Sequence, residues 1–216
     1  MTVTNYEGVD VPDKQIAAFR KVLRGNWEET LAKNPRGTAR GWNKALLTVT
    51  EGRKSLYKNG KRTFIYSWCG DWVSYHLWKA GCLHTCLNRQ STRGKWASGM
   101  NLTLPRVWAG DSKTRRWASK SIKAEFPASG VDAWHAWDNT LDVCADGYVP
   151  QLGDLVLCPR KNGDHIEFFV SLKDKILTVS AGAQSGGVAL ILERDLYIEP
   201  LVGVIDVSKL CPSSPY

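Results

Sequence analysis

The first part of the chain spaces its apolar residues as amphipathic helices do. Residues 1–12 have the pattern of an extended lead-in, and Asp13 is a suitable N-cap for the helix that follows. Gly25 predicts the end of this helix, with a further turn over 27–32. Apolar residues recur at intervals of three and four along the predicted helix: Ile16, Ala17, Phe19, Val22 and Leu23.

A second helical pattern begins at Cys69. Positions 69, 73, 76 and 80 fall near one face at helical spacing, with Trp72 and Leu77 beside them. Gly81 is a suitable residue to end the helix. The pattern therefore predicts a helix whose first turn carries Cys69 on its inward face.

Strand patterns dominate the second half. After a short helix predicted over 131–137, β-prone runs follow at 155–158, 165–170, 176–180, 188–192 and 197–207. We expect the runs at 165–170 and 176–180 to pair across Lys173-Asp174, and an earlier β-prone run at 62–66 follows the turn signal Asn59-Gly60. Helices followed by a meander of strands predict an α+β fold, with N-terminal helices packed on an antiparallel sheet.

The composition is that of a soluble globular protein, and it favours one domain over 1–216 with a basic insertion at about 82–130. No run of about 18 apolar residues predicts a membrane span, and the N-terminus lacks the basic and apolar regions of a secretory signal. We expect synthesis in the cytoplasm, followed by export through a route that does not read such a signal.

Positive charge is concentrated in residues 89–123. This segment contains nine basic residues and one acid, Asp111, so its net charge of +8 equals the formal charge of the whole chain. Such a segment predicts contact with an anionic surface, although a solvated loop-rich face would carry the same pattern. The basic residues are Arg89, Arg93, Lys95, Arg106, Lys113, Arg115, Arg116, Lys120 and Lys123.

The six cysteines form no CxxC pair. Cys82 and Cys86 flank His84, but a structural zinc site normally needs four ligands in paired clusters, so we expect no metal and no cofactor. A disulfide involving Cys82 or Cys86 is the alternative in an oxidising compartment, with a partner that the sequence leaves open.

Cys69 and His165 are the residues on which catalysis would depend. A thiol in the first turn of a helix feels the positive end of the helix dipole, which lowers its pKa and favours the nucleophilic thiolate. His165 begins a predicted strand at the rim of the sheet, where its imidazole could take the thiol proton. The alternatives are a buried cysteine that acts as a small apolar residue and a strand-edge histidine bonded to backbone.

Four segments, in this order, resemble the CHAP and NlpC-type cell-wall hydrolases. They are Trp68-Cys69-Gly70-Asp71-Trp72-Val73, Gly153-Asp154-Leu155-Val156-Leu157, Asp164-His165-Ile166-Glu167-Phe168-Phe169-Val170 and Ala181-Gly182-Ala183-Gln184-Ser185. The resemblance implies a papain-like fold, a Cys69 nucleophile, a His165 base, a structural Asp154 in its turn, and peptidoglycan amide bonds as substrate. Where that family places the residue that orients the histidine, this chain has Ala181 and Ala183. Ser180, which one hairpin register puts opposite His165, Gln184 and Glu167 are the candidates to replace it.

The function expected from this resemblance is a thiol amidase or peptidase that degrades peptidoglycan, as a monomeric antibacterial toxin, a secreted effector or a phage lysin. It would act in the periplasm or cell wall of a target cell, with an immunity protein or a secretion-system component as partner. The same thiol chemistry could instead serve a protein-directed protease or deamidase. A non-catalytic polyanion-binding protein on a hydrolase scaffold is the third alternative.

Overall fold

A computed structural model describes ten parts of the chain: residues 1–5, 8–33, 57–58, 61–62, 72–73, 76–77, 79–81, 133–158, 165–184 and 188–214. Cys69, Cys82, Cys86 and the basic segment 89–123 lie outside these described residues, as does the insertion predicted at about 82–130. Within the described ranges, no helix is both long enough and apolar enough to cross a membrane.

The N-terminal lead-in is extended, as predicted. Strands β1 (Thr2–Thr4) and β2 (Asp10–Pro12) pair antiparallel and lead directly into helix α1 (Asp13–Lys33). The predicted helix end at Gly25 is wrong, because α1 continues for two more turns. Trp27 lies on the same face as Leu23 and is 1% exposed. Its burial outweighs the cost of about 1 kcal/mol for a glycine inside a helix.

The second helix, α2, is described at residues 72, 73, 76, 77 and 79. Its inward face is as predicted: Trp72, Val73 and His76 are fully buried, and the Ala80 amide donates to the His76 carbonyl at 2.9 Å. Gly81 follows with a φ of 85°, the left-handed conformation that ends helices. Upstream, β3 (Tyr57–Lys58) and β4 (Lys61–Arg62) pair antiparallel, and the turn predicted at Asn59-Gly60 lies outside the described residues.

The described strands of the second half form a seven-stranded antiparallel sheet in the order β10-β9-β8-β7-β11-β5-β6. Four of the predicted strand runs are confirmed, and a 3-10 helix (Val207–Leu210) follows the last strand. The α+β class is therefore confirmed. The strands are β5 (Trp134–Asp138), β6 (Val143–Cys144), β7 (Leu155–Cys158), β8 (His165–Lys173), β9 (Ile176–Gln184), β10 (Val188–Asp195) and β11 (Gly203–Ile205).

The short helix predicted over 131–137 is wrong, because residues 134–138 form β5. Ala136 pairs with Gly203 of β11, nearly seventy positions later in the sequence. The ring of Trp134 lies over Gly203, where a Cβ would come within 2.5 Å of it. A contact so distant in sequence overrides the local preference that a short window records.

The sheet packs a hydrophobic core on each face. On one face, Ile166 and Phe168 of β8 join the core that contains both helices, with the Trp27 and Phe168 ring centroids 4.7 Å apart. On the other face, Phe169 joins a core with Val156 and Leu177. The alternation predicted for β8 is therefore confirmed, and this strand divides the two cores.

Replacing Gly203 by alanine is expected to destabilise the protein by about 2 kcal/mol or more, because the added methyl meets the Trp134 ring at 2.5 Å and the His135 carbonyl at 2.6 Å. Gly25→Ala is the matched control. Nothing lies within 4 Å of a Cβ at position 25 in α1, so we expect Gly25→Ala to raise the free energy of unfolding by about 0.5–1 kcal/mol. Urea unfolding measures both, and an unchanged midpoint for Gly203→Ala would contradict the close packing of Trp134.

Candidate active site

His165 is the first residue of β8 and is buried, with 6% of its surface exposed. It lies opposite Cys158 of the neighbouring strand β7. Its Nε2 is 3.0 Å from Oε1 of Glu167, two residues along the same face of the strand. An imidazole held by a carboxylate in this way has a defined orientation and tautomer, which is what a general base requires.

Glu167 is fully buried. Burial alone would raise the pKa of its carboxyl, but hydrogen bonds from His165 and Arg194 outweigh that effect and hold the pKa at about 2. The Cys158 thiol lies 3.9 Å from Oε2. Glu167 is therefore ionised at neutral pH. Its carboxylate is the central acceptor of a charged cluster formed by His165, Glu167, Arg194 and Glu199.

Arg194 of β10 brings a buried guanidinium to the same carboxylate. Its Nε donates to Glu167 Oε2 at 2.5 Å, and its Nη2 donates to Oε1. Its third nitrogen, Nη1, donates to Oε2 of Glu199 at 2.5 Å. Burial lowers the pKa of Arg194, but the hydrogen bonds and charge of Glu167 outweigh that effect and raise it above its usual value. The guanidinium therefore stays charged.

Among the residues proposed to orient His165, the structure favours Glu167. The register that would put Ser180 opposite His165 is wrong: Ser180 pairs with Phe168 and lies on that residue's face. The turn residues Asp174 and Lys175, both with positive φ, and an irregularity between Phe169 and Ser171 set this register. The side chain of Gln184, at the end of β9, lies outside the described residues.

The described part of α2 packs on the Phe168 face of β8. The rings of His76 and Phe168 are 6.2 Å apart, centroid to centroid. His165 points to the opposite face, because side chains alternate along a strand. For the predicted pair to form, the Cys69 thiol has to reach the imidazole around the beginning of β8. The histidine half of the pair lies within the described residues and the cysteine half lies outside them.

A second histidine and carboxylate pair, which the sequence analysis missed, lies beside β5. His135 Nδ1 is 2.7 Å from Asp146 Oδ2, and the imidazole stacks on Tyr148 with centroids 3.8 Å apart. Burial raises the pKa of Asp146, but the hydrogen bond with His135, the amide of Tyr148 and the His135 charge together outweigh that effect and lower it. The two partners are eleven positions apart and form no motif, so only the pairing of β5 with β6 brings them together.

Asp154 is structural, as predicted. Its carboxylate accepts hydrogen bonds from the Gln151 amide of its own turn, at 2.7 Å, and from the Val207 amide at 3.0 Å. It also accepts from the Tyr148 hydroxyl and from Arg20 of α1, at 2.6 and 2.7 Å. Burial raises its pKa, and the Arg20 charge opposes that shift. No sequence pattern identifies Arg20, whose partner is 134 residues away.

The other described thiols have the character of core residues. Cys144, Cys158 and Cys211 are buried and form no disulfide. Burial, with the negative charges of Asp146 and Asp154, raises the pKa of Cys144 to about 12, so this thiol is not a nucleophile at neutral pH. Within the described part of the chain, no group of three or more His, Cys, Asp or Glu residues could hold a metal ion.

Replacing Glu167 by glutamine is expected to destabilise the protein by roughly 3 kcal/mol at pH 7, because it removes a carboxylate whose pKa falls from about 4.5 to about 2 on folding. Since the folded pKa is depressed, this stability is present above pH 4.5 and is lost as the pH falls towards 2. The gap between wild type and Glu167→Gln should therefore close over that range, as measured by urea unfolding.

The matched control is Glu193→Gln, which removes an exposed carboxylate next to Arg194 on the same strand. It should stay within about 0.5 kcal/mol of wild type at every pH. A constant gap between wild type and Glu167→Gln from pH 7 to pH 3 would show that Glu167 is not the ionised centre of the cluster.

The comparisons with known proteins leave this site to be interpreted from its own geometry. No protein-family model, no curated protein and no solved structure matches the chain. His165, its buried carboxylate partner and the sequence around Cys69 are the features that bear on function.

Proposed function

We propose that the chain is a cell-wall hydrolase with a papain-like arrangement, cleaving an amide bond of peptidoglycan with Cys69 as nucleophile and His165 as base. The observation that carries this proposal is the His165 imidazole held 3.0 Å from the buried Glu167 carboxylate. Ordered imidazoles of this kind activate nucleophiles in hydrolases. Glu167 takes the orienting role for which Ser180 and Gln184 were also candidates.

The chemistry follows from the position of the proton. With Nε2–H donating to Glu167, Nδ1 is the nitrogen that takes the thiol proton. The thiolate attacks the amide carbonyl, and the imidazolium returns the proton to the departing amine, which leaves a thioester. Water, deprotonated by His165, then releases the acid and restores the thiol. The Cys69 backbone N–H is the first candidate donor to the oxyanion.

The biological setting proposed is attack on the wall of another cell. The resemblance to wall hydrolases supports it, and so do the predicted helix dipole at Cys69 and the anionic character of peptidoglycan opposite the basic segment 89–123. Export from the producing cell and a monomeric state belong to this proposal. A secretion-system component or an immunity protein would be the protein partner.

A non-catalytic polyanion-binding protein is the second candidate. The observation that favours it is the packing of α2 on the Phe168 face, away from His165. In that case the charged cluster would serve only the fold. Binding to an anionic polymer would then show strong dependence on salt concentration, with no chemistry at Cys69.

The test uses purified sacculi and mass spectrometry of the released muropeptides. Wild type should release fragments that share one cleaved amide bond, which also identifies that bond. Cys69→Ala and His165→Ala should each reduce the rate by roughly a thousandfold or more, since the residues of a catalytic unit depend on one another.

Two matched controls separate catalysis from folding. Cys144→Ala removes a buried thiol with a raised pKa, and His135→Ala removes the histidine of the other carboxylate pair; both should stay within about twofold of wild type. Full activity in Cys69→Ala would refute the thiol mechanism. Cleavage of proteins but not of sacculi would move the substrate to the protein-directed alternative.

A further inference from the structure

The charged cluster extends beyond the histidine and its carboxylate. Glu199 holds Arg194, Arg194 holds Glu167, and Glu167 holds His165. These contacts join β8 to β10 and to the segment after β10, although β9 lies between those two strands in the sheet. The chain of contacts begins at a carboxylate whose side chain is 40% exposed and ends at the imidazole.

We propose that Arg194, held by Glu199, is a positioning residue that fixes the Glu167 carboxylate against His165 and limits how strongly the imidazolium keeps its proton. The inference rests on the function proposed above and concerns the regulation of that same site. Arg194 acts through Glu167 and is assigned no contact with substrate.

Arg194 and Glu167 make a two-point contact. Because Nε and Nη2 each meet a different carboxylate oxygen, the plane of the carboxylate is set by the guanidinium. Oε1 is the oxygen that also meets His165, so the rotation of Glu167 decides whether His165 keeps its partner. Arg194→Lys would retain the positive charge but lose the two-point contact with the carboxylate.

Arg194 also affects the proton on His165 through the charge of Glu167. Within the described part of the chain, the charged and titratable groups seen in contact with Glu167 include His165 on its own strand, Cys158 on β7 and Arg194 on β10, with Glu199 behind Arg194. A carboxylate whose charge is shared with a guanidinium stabilises the imidazolium less than a lone carboxylate would. Arg194 therefore keeps the imidazolium acidic enough to return its proton to the leaving amine.

The experiment compares Arg194→Lys, Arg194→Met and Glu199→Gln with wild type, and with Glu193→Gln as the exposed control on the same strand. Arg194→Lys should lower kcat about tenfold with KM unchanged and the pH profile in place, since it keeps the charge but loses the orientation. Arg194→Met should in addition move the alkaline limb of the profile to higher pH. Glu199→Gln should lower kcat about threefold, and Glu193→Gln should match wild type.

Wild-type kcat and an unshifted pH profile in both Arg194 variants would overturn the inference. If Arg194→Met fails to fold, Arg194→Lys and Glu199→Gln decide the outcome, because neither leaves Glu167 without a cation. The titration of His165, followed by nuclear magnetic resonance of its ring nitrogens, is the second readout. An upward shift in Arg194→Met supports the inference even if sacculi prove not to be the substrate, and an unchanged titration overturns it.

Discussion

The buried carboxylate of Glu167 is the constraint on which the candidate site depends. An ionised carboxylate without partners would lose several kcal/mol of hydration inside the protein, so it needs cationic or hydrogen-bonding groups that reach it there. Arg194 and His165 are those groups, and both are themselves nearly excluded from solvent. Glu167, Arg194 and His165 can therefore be buried only together. Because the contact with Glu167 must be kept, His165 has a fixed orientation.

The two faces of strand β8 differ in chemistry, and the charged cluster lies on one of them. Ile166 and Phe168 face the helices and contribute ordinary hydrophobic packing, whereas His165 and Glu167 face the other core. The first five residues of the strand are buried. A one-residue slip in register would therefore move charged side chains into one hydrophobic core and apolar side chains into the polar cluster on the other face. That penalty holds the register and, with it, the position of the imidazole.

A second buried acid holds the frame around the site. Asp154 immediately precedes β7, the strand next to β8, and its carboxylate joins Arg20 of α1 to the turn and to the amide of Val207. Arg20 also reaches Asp206, the cap of the 3-10 helix. Helix, sheet and C-terminal segment thus meet at one charged junction. Asp154 therefore fixes elements to one another, whereas Glu167 fixes a side chain.

Features that depend on near neighbours followed from the sequence alone. Apolar spacing identified α1 and the inward face of α2, and period-two alternation placed His165 and Glu167 on one face of β8, because both patterns act within a few residues. Glu167 was accordingly recognisable as one of three partners for the imidazole. The same locality explains the end wrongly assigned to α1 at Gly25, since the burial of Trp27 that continues the helix depends on residues far along the chain.

Only the tertiary structure decided which candidate meets His165. The turn at Asp174 and Lys175 and the irregularity in β8 turned Ser180 to the opposite face. The strand at 134–138 formed because Gly203 offers a surface for Trp134, and Arg194 joined the site from two strands away. The sequence by itself determined the periodic elements and the residue types capable of the chemistry. Their pairing across the sheet was decided by register and by the need to neutralise buried charge, and both are set by contacts between distant parts of the chain.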